Sequence, residues 1–378
     1  MSIALPRLLL VPVILLAPVV GHAQTYPSSA GPLAVETVAG GLDHPWALAF
    51  LPDGRMLVTE RAGRIRIVAP NGNLSKPVEN VPKVFARGQG GMLDIILDRD
   101  FARNRIIYFS YAEPFDGGGR TALARAVLDA SEAPALSDVK VIFQQVGPPS
   151  RSNHFGGRIA QGADGNIFVT TGDHFTDRDM AQTLDNDIGK VVRITPDGHA
   201  PKDNPFVNRA GARAIVWSFG HRNPQGLAIN PADGSLWEQE HGARGGDEIN
   251  IIQPGKNYGW PVVSHGVNYD GTPVGTGKQE AAGMENPVWH WTPSIAPSGM
   301  TFYTGDLFPQ WKGSLFNGAL RAQFLSRLDI KDGKPANEER LLQALNERLR
   351  DVRQGPDGAL YLLTDSSNGR ILRVTPGK

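Results

Sequence analysis

Four polar clusters in this chain combine residue types that do chemistry. Asn153-His154-Phe155-Gly156-Gly157-Arg158 sets an imidazole at a loop–strand junction among glycines. An imidazole titrates near neutral pH and can take a proton from an alcohol; the plainer alternative is a half-buried histidine with its hydrogen bonds satisfied. His221-Arg222-Asn223-Pro224-Gln225-Gly226 is followed by Glu240-His241-Gly242-Ala243-Arg244-Gly245-Gly246-Asp247-Glu248. Adjacent carboxylates after a Gly-rich turn suit a hard cation such as Ca²⁺, and backbone carbonyls of the turn can add ligands; a solvated hairpin edge is the alternative. His241 is a nitrogen donor and is not expected on such an ion. Gly88-Gln89-Gly90-Gly91 lets backbone approach a ligand while Gln89 donates and accepts, unless it is only a tight turn. Arg321, and then Arg348 and Arg350 spaced by two along one strand face, offer guanidinium groups that want carboxylate or phosphate; the alternative is an ion-paired exposed edge. Together these residues predict a channel lined by Arg222, Arg321, Arg348 and Arg350, with one His and a divalent cation. Its ligand is then a planar polyanion, with Trp260, Trp289 and Trp291 in the long loops after the fourth unit placed to stack on it.

The elements that must position these residues repeat. Four segments share an apolar run, an Asp-Gly turn, a second apolar strand, a polar stop and a third strand. They are residues 45–68, residues 155–173 resumed at 189–195, residues 224–242 resumed at 247–252, and residues 350–375. The Asp-Gly pairs at 53–54, 164–165, 233–234 and 357–358 suit tight hairpins, since Gly tolerates positive φ. Residues 91–129 and 298–330 fit the pattern more loosely. Six units spanning the chain predict an all-β fold, a six-bladed β-propeller of four-stranded antiparallel blades. A blade needs ~40–45 residues, so the surplus falls in loops. The spare strand at Leu33–Val38 is expected to join the last blade and close the ring.

Composition narrows the class. Lys+Arg and Asp+Glu are 38 each, which argues against a nucleic-acid binder. There is no Cys, so no disulfide, thiolate metal site or Cys nucleophile. Gly (44) and Pro (29) make about a fifth of the chain against an average near ~12%, as many short strands and turns require. Residues 1–23 carry Arg7, an apolar run from Leu8 to Val20 and then Gly21-His22-Ala23, the form of a secretory signal cleaved before Gln24. Residues 24–378 are then one catalytic domain, exported with no membrane span, and periplasmic if the host has two membranes. No phosphate loop, His-Glu-x-x-His or Gly-x-Ser-x-Gly motif is present, against nucleotide enzymes, zincins and α/β-hydrolases.

The ordered motifs GQGGMLDIILDRDF, HFGGRI, WSFGHRNPQGLA, EHGARGGDEIN, KNYGWPV and LRDV…GPDG resemble those of the soluble aldose sugar dehydrogenases dependent on pyrroloquinoline quinone (PQQ), within the glucose/sorbosone dehydrogenase family. The resemblance covers nearly all of residues 24–378 and implies a six-bladed propeller, with a tricarboxylate cofactor lying across the channel mouth. By motif match it implies His154 as the general base for the sugar C1 hydroxyl, with hydride passing to the quinone C5 carbonyl and a lactone as product. Arg222 would stabilise charge on that carbonyl oxygen. Gln89, Asn223, Tyr269, Arg321, Arg348 and Arg350 would hold the cofactor, with Trp291 packed near it. The carbonyls of Gly242 and Ala243 would bind a Ca²⁺ that also grips the quinone, and Glu248 with the backbone of Tyr258 a further Ca²⁺. Asn153 and Arg321 stand where the glucose-specialised branch has Asp and Lys, and His-Gly-Ala stands for the family's common His-Gly-Pro, a change that leaves the carbonyl ligand in place. The expected partners are an aldose and an electron acceptor such as a cytochrome or quinone, in a monomer or dimer. Two alternatives remain: a Ca²⁺-dependent propeller lactonase or other hydrolase, in which His154 activates water, and a non-catalytic sugar-binding propeller. A neutral lactone needs no arginine cluster, which separates the first reading from these.

Overall fold

The computed structural model describes residues 24–377; the leader expected at residues 1–23 lies outside them. Six antiparallel sheets follow one another along the chain as blades. Blade 1 has three strands, Pro45–Phe50, Met56–Glu60 and Arg64–Val68. Blades 2 to 5 have four each, starting at Met92, Gly156, Pro224 and Pro297. Blade 6 is built from Leu349–Gln354, Leu360–Thr364 and Gly369–Pro376. Leu33–Leu42 pairs antiparallel with Gly369–Pro376, Val35 opposite Val374, and so closes the ring as expected. Gln24–Tyr26 adds a fifth strand outside it. Two features depart from the sequence reading: blade 1 has three strands where four are expected, and Trp289–Trp291 is the fourth strand of blade 4, not loop. Three residues are too short to show a period, so only the pairing with Asp247–Ile249 reveals it.

Local chemistry explains the hairpins. Gly54, Gly165, Gly234 and Gly358 all have φ near +80°. In each turn the preceding Asp accepts the N–H two residues on, at 2.9–3.2 Å, an Asx turn that fixes the reversal. Packing then follows strand alternation. Each neighbouring pair of blades shares an apolar cluster, such as Ile159, Ile167 and Val169 of blade 3 with Tyr108 and Leu123 of blade 2. The ring is thus held by six such interfaces.

The first strand of every blade faces the central axis, and all six have a bulge near their start. The register shifts fall at Pro45/Ala47, Met92/Ile95, Gly156/Ile159, Pro224/Gly226, Ser298/Met300 and Leu349/Asp351. A bulge turns side chains off the sheet faces, here into one end of the channel. Further along, buried Arg158 crosses the axis. It donates to Asp351 Oδ1 (2.9 Å), the Gln225 carbonyl (2.6 Å) and the Arg350 carbonyl (3.1 Å), and its guanidinium lies 4.0 Å from the Trp46 ring centre. Arg353 bridges Asp351 and Asp94. Blades 2, 3, 4 and 6 are therefore tied together beneath the bulged end.

Candidate active site

An inner cavity of about 250 Å³ opens at the bulged end. Every blade contributes a residue from the start of its first strand or the turn before it: Trp46, Leu93, Gly156, Gln225, Ala296 and Arg350. Gln89, Arg348 and Arg61 also line it. A wider, more open pocket of about 530 Å³ is walled by Asp173, Phe175, Arg178, Arg222, Ala243, Trp260 and Tyr269, among others.

His154 connects the two. Its backbone N–H donates to Gln89 Oε1 of the inner cavity (2.9 Å), and its Nδ1 lies 2.6 Å from Asp173 Oδ1 of the outer pocket. No hydrogen bond engages Nε2 among the described residues. The backbone holds His154 at φ 52°, a left-handed conformation that costs a non-Gly residue about 1–3 kcal/mol and is kept where surroundings enforce it. Gly172 is one enforcer, because a Cβ there would overlap the His154 carbonyl oxygen. Burial first, then the charge of Arg222, holds the imidazole below its usual pKa against the opposing effect of Asp173. It is therefore neutral at neutral pH. For Asp173 burial acts upward, but the hydrogen bond from His154 leads a set of interactions that keeps its carboxyl below the usual range. Asp173 also accepts from Trp260 Nε1 and the Phe175 N–H, both at 2.8 Å.

The buried Arg222 guanidinium has no carboxylate partner at ion-pair distance among the described residues. Its Nη1 donates to the His241 carbonyl (3.1 Å), its charge lies 5.1 Å from the Trp260 ring centre, and its Nε has no acceptor. Glu240 Oε2 accepts the backbone N–H groups of both Arg222 and Asn223 and so fixes this turn. Arg350 is buried with Nε likewise unpartnered, and burial lowers its pKa to about 10. Arg348 and Arg350 share Asp365 at 2.7 and 3.4 Å, but Arg348 precedes the strand and the bulge at Leu349/Asp351 breaks the alternation, so they meet through that acid and not through a regular strand face.

The remaining expected residues divide. Asn223 is buried, and its Oδ1 accepts from Gly156 N–H and Gln225 Nε2 (both 3.2 Å). Tyr269 is 62% exposed, with its ring 6.3 Å from Phe175, and lines the outer pocket together with Asn268, Asp270 and Thr272. Gly242, Glu248 and Tyr258 meet around a narrow pocket with Glu240, and Ala243 lines the outer one. Burial first, then the charge of Glu240, pushes the Glu248 carboxyl well above its usual range. Two expectations do not match the positions found. Arg321 is exposed and borders neither the inner nor the outer space, where its neighbour Leu320 lines the inner cavity. Trp291 packs in the apolar core between blades 4 and 5 and donates to Glu338 (2.8 Å), because its strand turns it away from the axis. Asp247 is taken up elsewhere: its carboxylate accepts from Gly242, Ser294, Ile295 and Ala296.

Sequence reasoning missed Asp173 and Arg61. A signal for the first lay in the repeat: the second strand runs into an acid at Glu60, Asp173, Glu240 and Asp365. Arg61 follows the first of these acids, but nothing in the sequence places it in one cavity with Arg350.

A six-bladed propeller whose channel mouth joins a neutral imidazole and its carboxylate partner to the unpaired Arg222 guanidinium and an arginine-lined cavity defines an enzyme-like site for an anionic ligand. The family model described as glucose/sorbosone dehydrogenase matches residues 42–373, and the chain belongs to that family. It is 47% identical over 345 residues to the Escherichia coli aldose sugar dehydrogenase YliI, covering 90% of this chain and 92% of that one. The solved apo-form of the soluble E. coli aldose sugar dehydrogenase superposes with TM-score 0.88 at 46% identity, covering 91% of this chain and all of that one. The PQQ-bound aldose sugar dehydrogenase of Streptomyces coelicolor gives TM-score 0.74 at 31% identity, over 90% of this chain and 98% of that one.

Proposed function

We propose that this chain is a PQQ-dependent aldose sugar dehydrogenase that oxidises the C1 hydroxyl of an aldose to the lactone. The observation that carries this reading is the His154–Asp173 pair beside the uncompensated Arg222 guanidinium, between an arginine-lined cavity and an open pocket. The residues present fit the cofactor. Arg222 Nε and Arg350 Nε are buried donors without acceptors, as a missing carboxylate or carbonyl partner requires. Arg61, Arg348, Arg350 and Gln89 would hold its carboxylates. The Gly242 carbonyl accepts no hydrogen bond among the described residues and, with that of Ala243, would ligate Ca²⁺; Glu248 and the Tyr258 backbone would take a second ion. When bound, the quinone supplies the acceptor for the C1 hydride, and Ca²⁺ polarises its carbonyl.

The chain's own residues do the rest. Phe175 and Tyr269 offer ring faces to a sugar entering the outer pocket. His154 Nε2 takes the C1 hydroxyl proton, and Asp173 steadies the imidazolium that forms. Arg222 faces negative charge as it develops. The same reading makes residues 24–378 one exported catalytic domain, periplasmic in a host with two membranes, that passes electrons to a cytochrome or quinone. Among the described residues no helix is long and apolar enough to cross a membrane.

The test is reconstitution: apo-protein, Ca²⁺ and PQQ, assayed for dye reduction with a panel of aldoses. Cofactor-dependent reduction is expected. Its absence with every sugar, or hydrolysis of a lactone without cofactor, overturns the reading.

A further inference from the structure

The interface between blades 3 and 4 changes character toward the axis. On blade 4, Glu238 pairs with Asn250 and Glu240 with Glu248 across neighbouring strands. Alternation puts these four on one face with Leu236 and Ile252, which pack against blade 3. Apolar packing thus gives way to three carboxylates and an amide. Glu238 is 0% exposed, Glu240 3% and Asn250 1%. Among the described residues no Lys or Arg lies at ion-pair distance from any of the three carboxylates.

His221 completes the cluster. It is fully buried, and its ring stacks on Tyr258 with centres 4.8 Å apart. Its Nε2 lies 2.8 Å from Ser218 Oγ. Its Nδ1 has no hydrogen-bond partner and sits 3.5 Å from Glu240 Oε1 and 3.9 Å from Glu238 Oε2. Glu238 Oε1 and Asn250 Oδ1 are unpartnered as well. Buried polar atoms of native proteins are rarely left without partners, and buried carboxylates are paired or hold metal.

We propose that His221 Nδ1, Glu238 and Glu240 ligate a divalent ion of the Zn²⁺ class inside this interface, with a donor set of its own that adjoins the second calcium position, since Glu240 lines the same pocket as Glu248 and Tyr258. One imidazole and two carboxylates are the donor set of a borderline cation, whereas Ca²⁺ takes oxygen alone. Metal–ligand bonds of ~2.0–2.2 Å at tetrahedral angles separate ligand atoms by about 3.4 Å. The Nδ1 separations of 3.5 and 3.9 Å need at most about 0.5 Å of closure, and all three donor atoms lie within 4.8 Å of one another. With Nδ1 on the ion, Nε2 carries the ring proton and donates it to Ser218 Oγ, 2.8 Å away, the outer support that ligating histidines have. Asn250 Nδ2 steadies Glu238 at 3.2 Å. The ion has a positioning role: Glu240 faces it with Oε1 while Oε2 holds the Arg222–Asn223 turn.

The test uses the full chain, stripped with chelator and refilled with excess Ca²⁺ to keep oxygen sites occupied. Co²⁺ is then added as a spectroscopic probe. One equivalent is expected to bind with the intense visible bands of four-coordination, to be displaced by Zn²⁺ and to raise the unfolding temperature. Glu238→Gln and His221→Gln, checked for folding by circular dichroism, should each weaken Co²⁺ binding at least tenfold. No such bands in the wild-type chain, or equal binding by folded variants, overturns the proposal. Should both variants fail to fold, the wild-type Co²⁺ protein decides alone by NMR. A paramagnetically shifted imidazole N–H supports histidine ligation, and its absence rejects it.

Discussion

Replacing Asp173 by Asn tests the core of the catalytic reading. The side chain keeps its size and can still accept from His154 Nδ1, 2.6 Å away, but the charge is gone. Two unit charges ~4 Å apart at an effective dielectric of about 20 interact by about 4 kcal/mol. A neutral hydrogen bond worth about 1 kcal/mol survives. When His154 takes a proton, the wild type therefore stabilises the imidazolium by about 2–4 kcal/mol more than the variant. That is ~30- to 1000-fold in kcat/KM. Cofactor affinity should be unchanged, since no inner-cavity side chain is altered. The pH profile gives a second readout. Asp173 raises the His154 pKa against burial and Arg222, so its loss lowers that pKa further. The base then stays unprotonated to lower pH, and the acid limb of kcat/KM moves down while the plateau falls. The assay is steady-state dye reduction by the reconstituted protein across pH. A plateau within threefold of wild type, or an acid limb moving up, refutes the His154–Asp173 assignment.

Three further outcomes are expected. Burial holds His174 at about 4 and His241 at about 3, below the unfolded value near ~6.5. The unfolded chain therefore binds protons that the native state does not. Stability should fall as pH drops below about 6.5, by up to about 1.4 kcal/mol per pH unit per histidine, until pH reaches the folded values; urea titrations at pH 7, 6 and 5 check this. Arg61→Ala should weaken PQQ binding about tenfold or more, as expected for losing a charged hydrogen-bond donor, read by fluorescence quenching without turnover. Leu33→Ala, at a fully buried position of the closing strand, should destabilise the ring by about 2–5 kcal/mol, seen as a lower denaturation midpoint.

The sequence by itself determined the ring. Its Asp-Gly turns, alternating strands and sixfold repetition are local features, because a hairpin's geometry is set by residues within a few positions of one another. It also marked the imidazole, the arginine pair at 348 and 350 and the Gly-rich turn after Glu240, because reactive residue types beside glycines stand out at repeat boundaries. Only the tertiary structure decided which of them meet. His154 and Asp173 are joined because strands of one blade pair, whereas Arg61 and Arg350 share a cavity because the ring closes. Strand alternation sent Trp291 into an inter-blade core, and Arg321 was left at the surface beyond the cavity wall. Distances across a closed ring follow from how six blades pack about one axis, information carried jointly by all the interfaces and by no single stretch of chain.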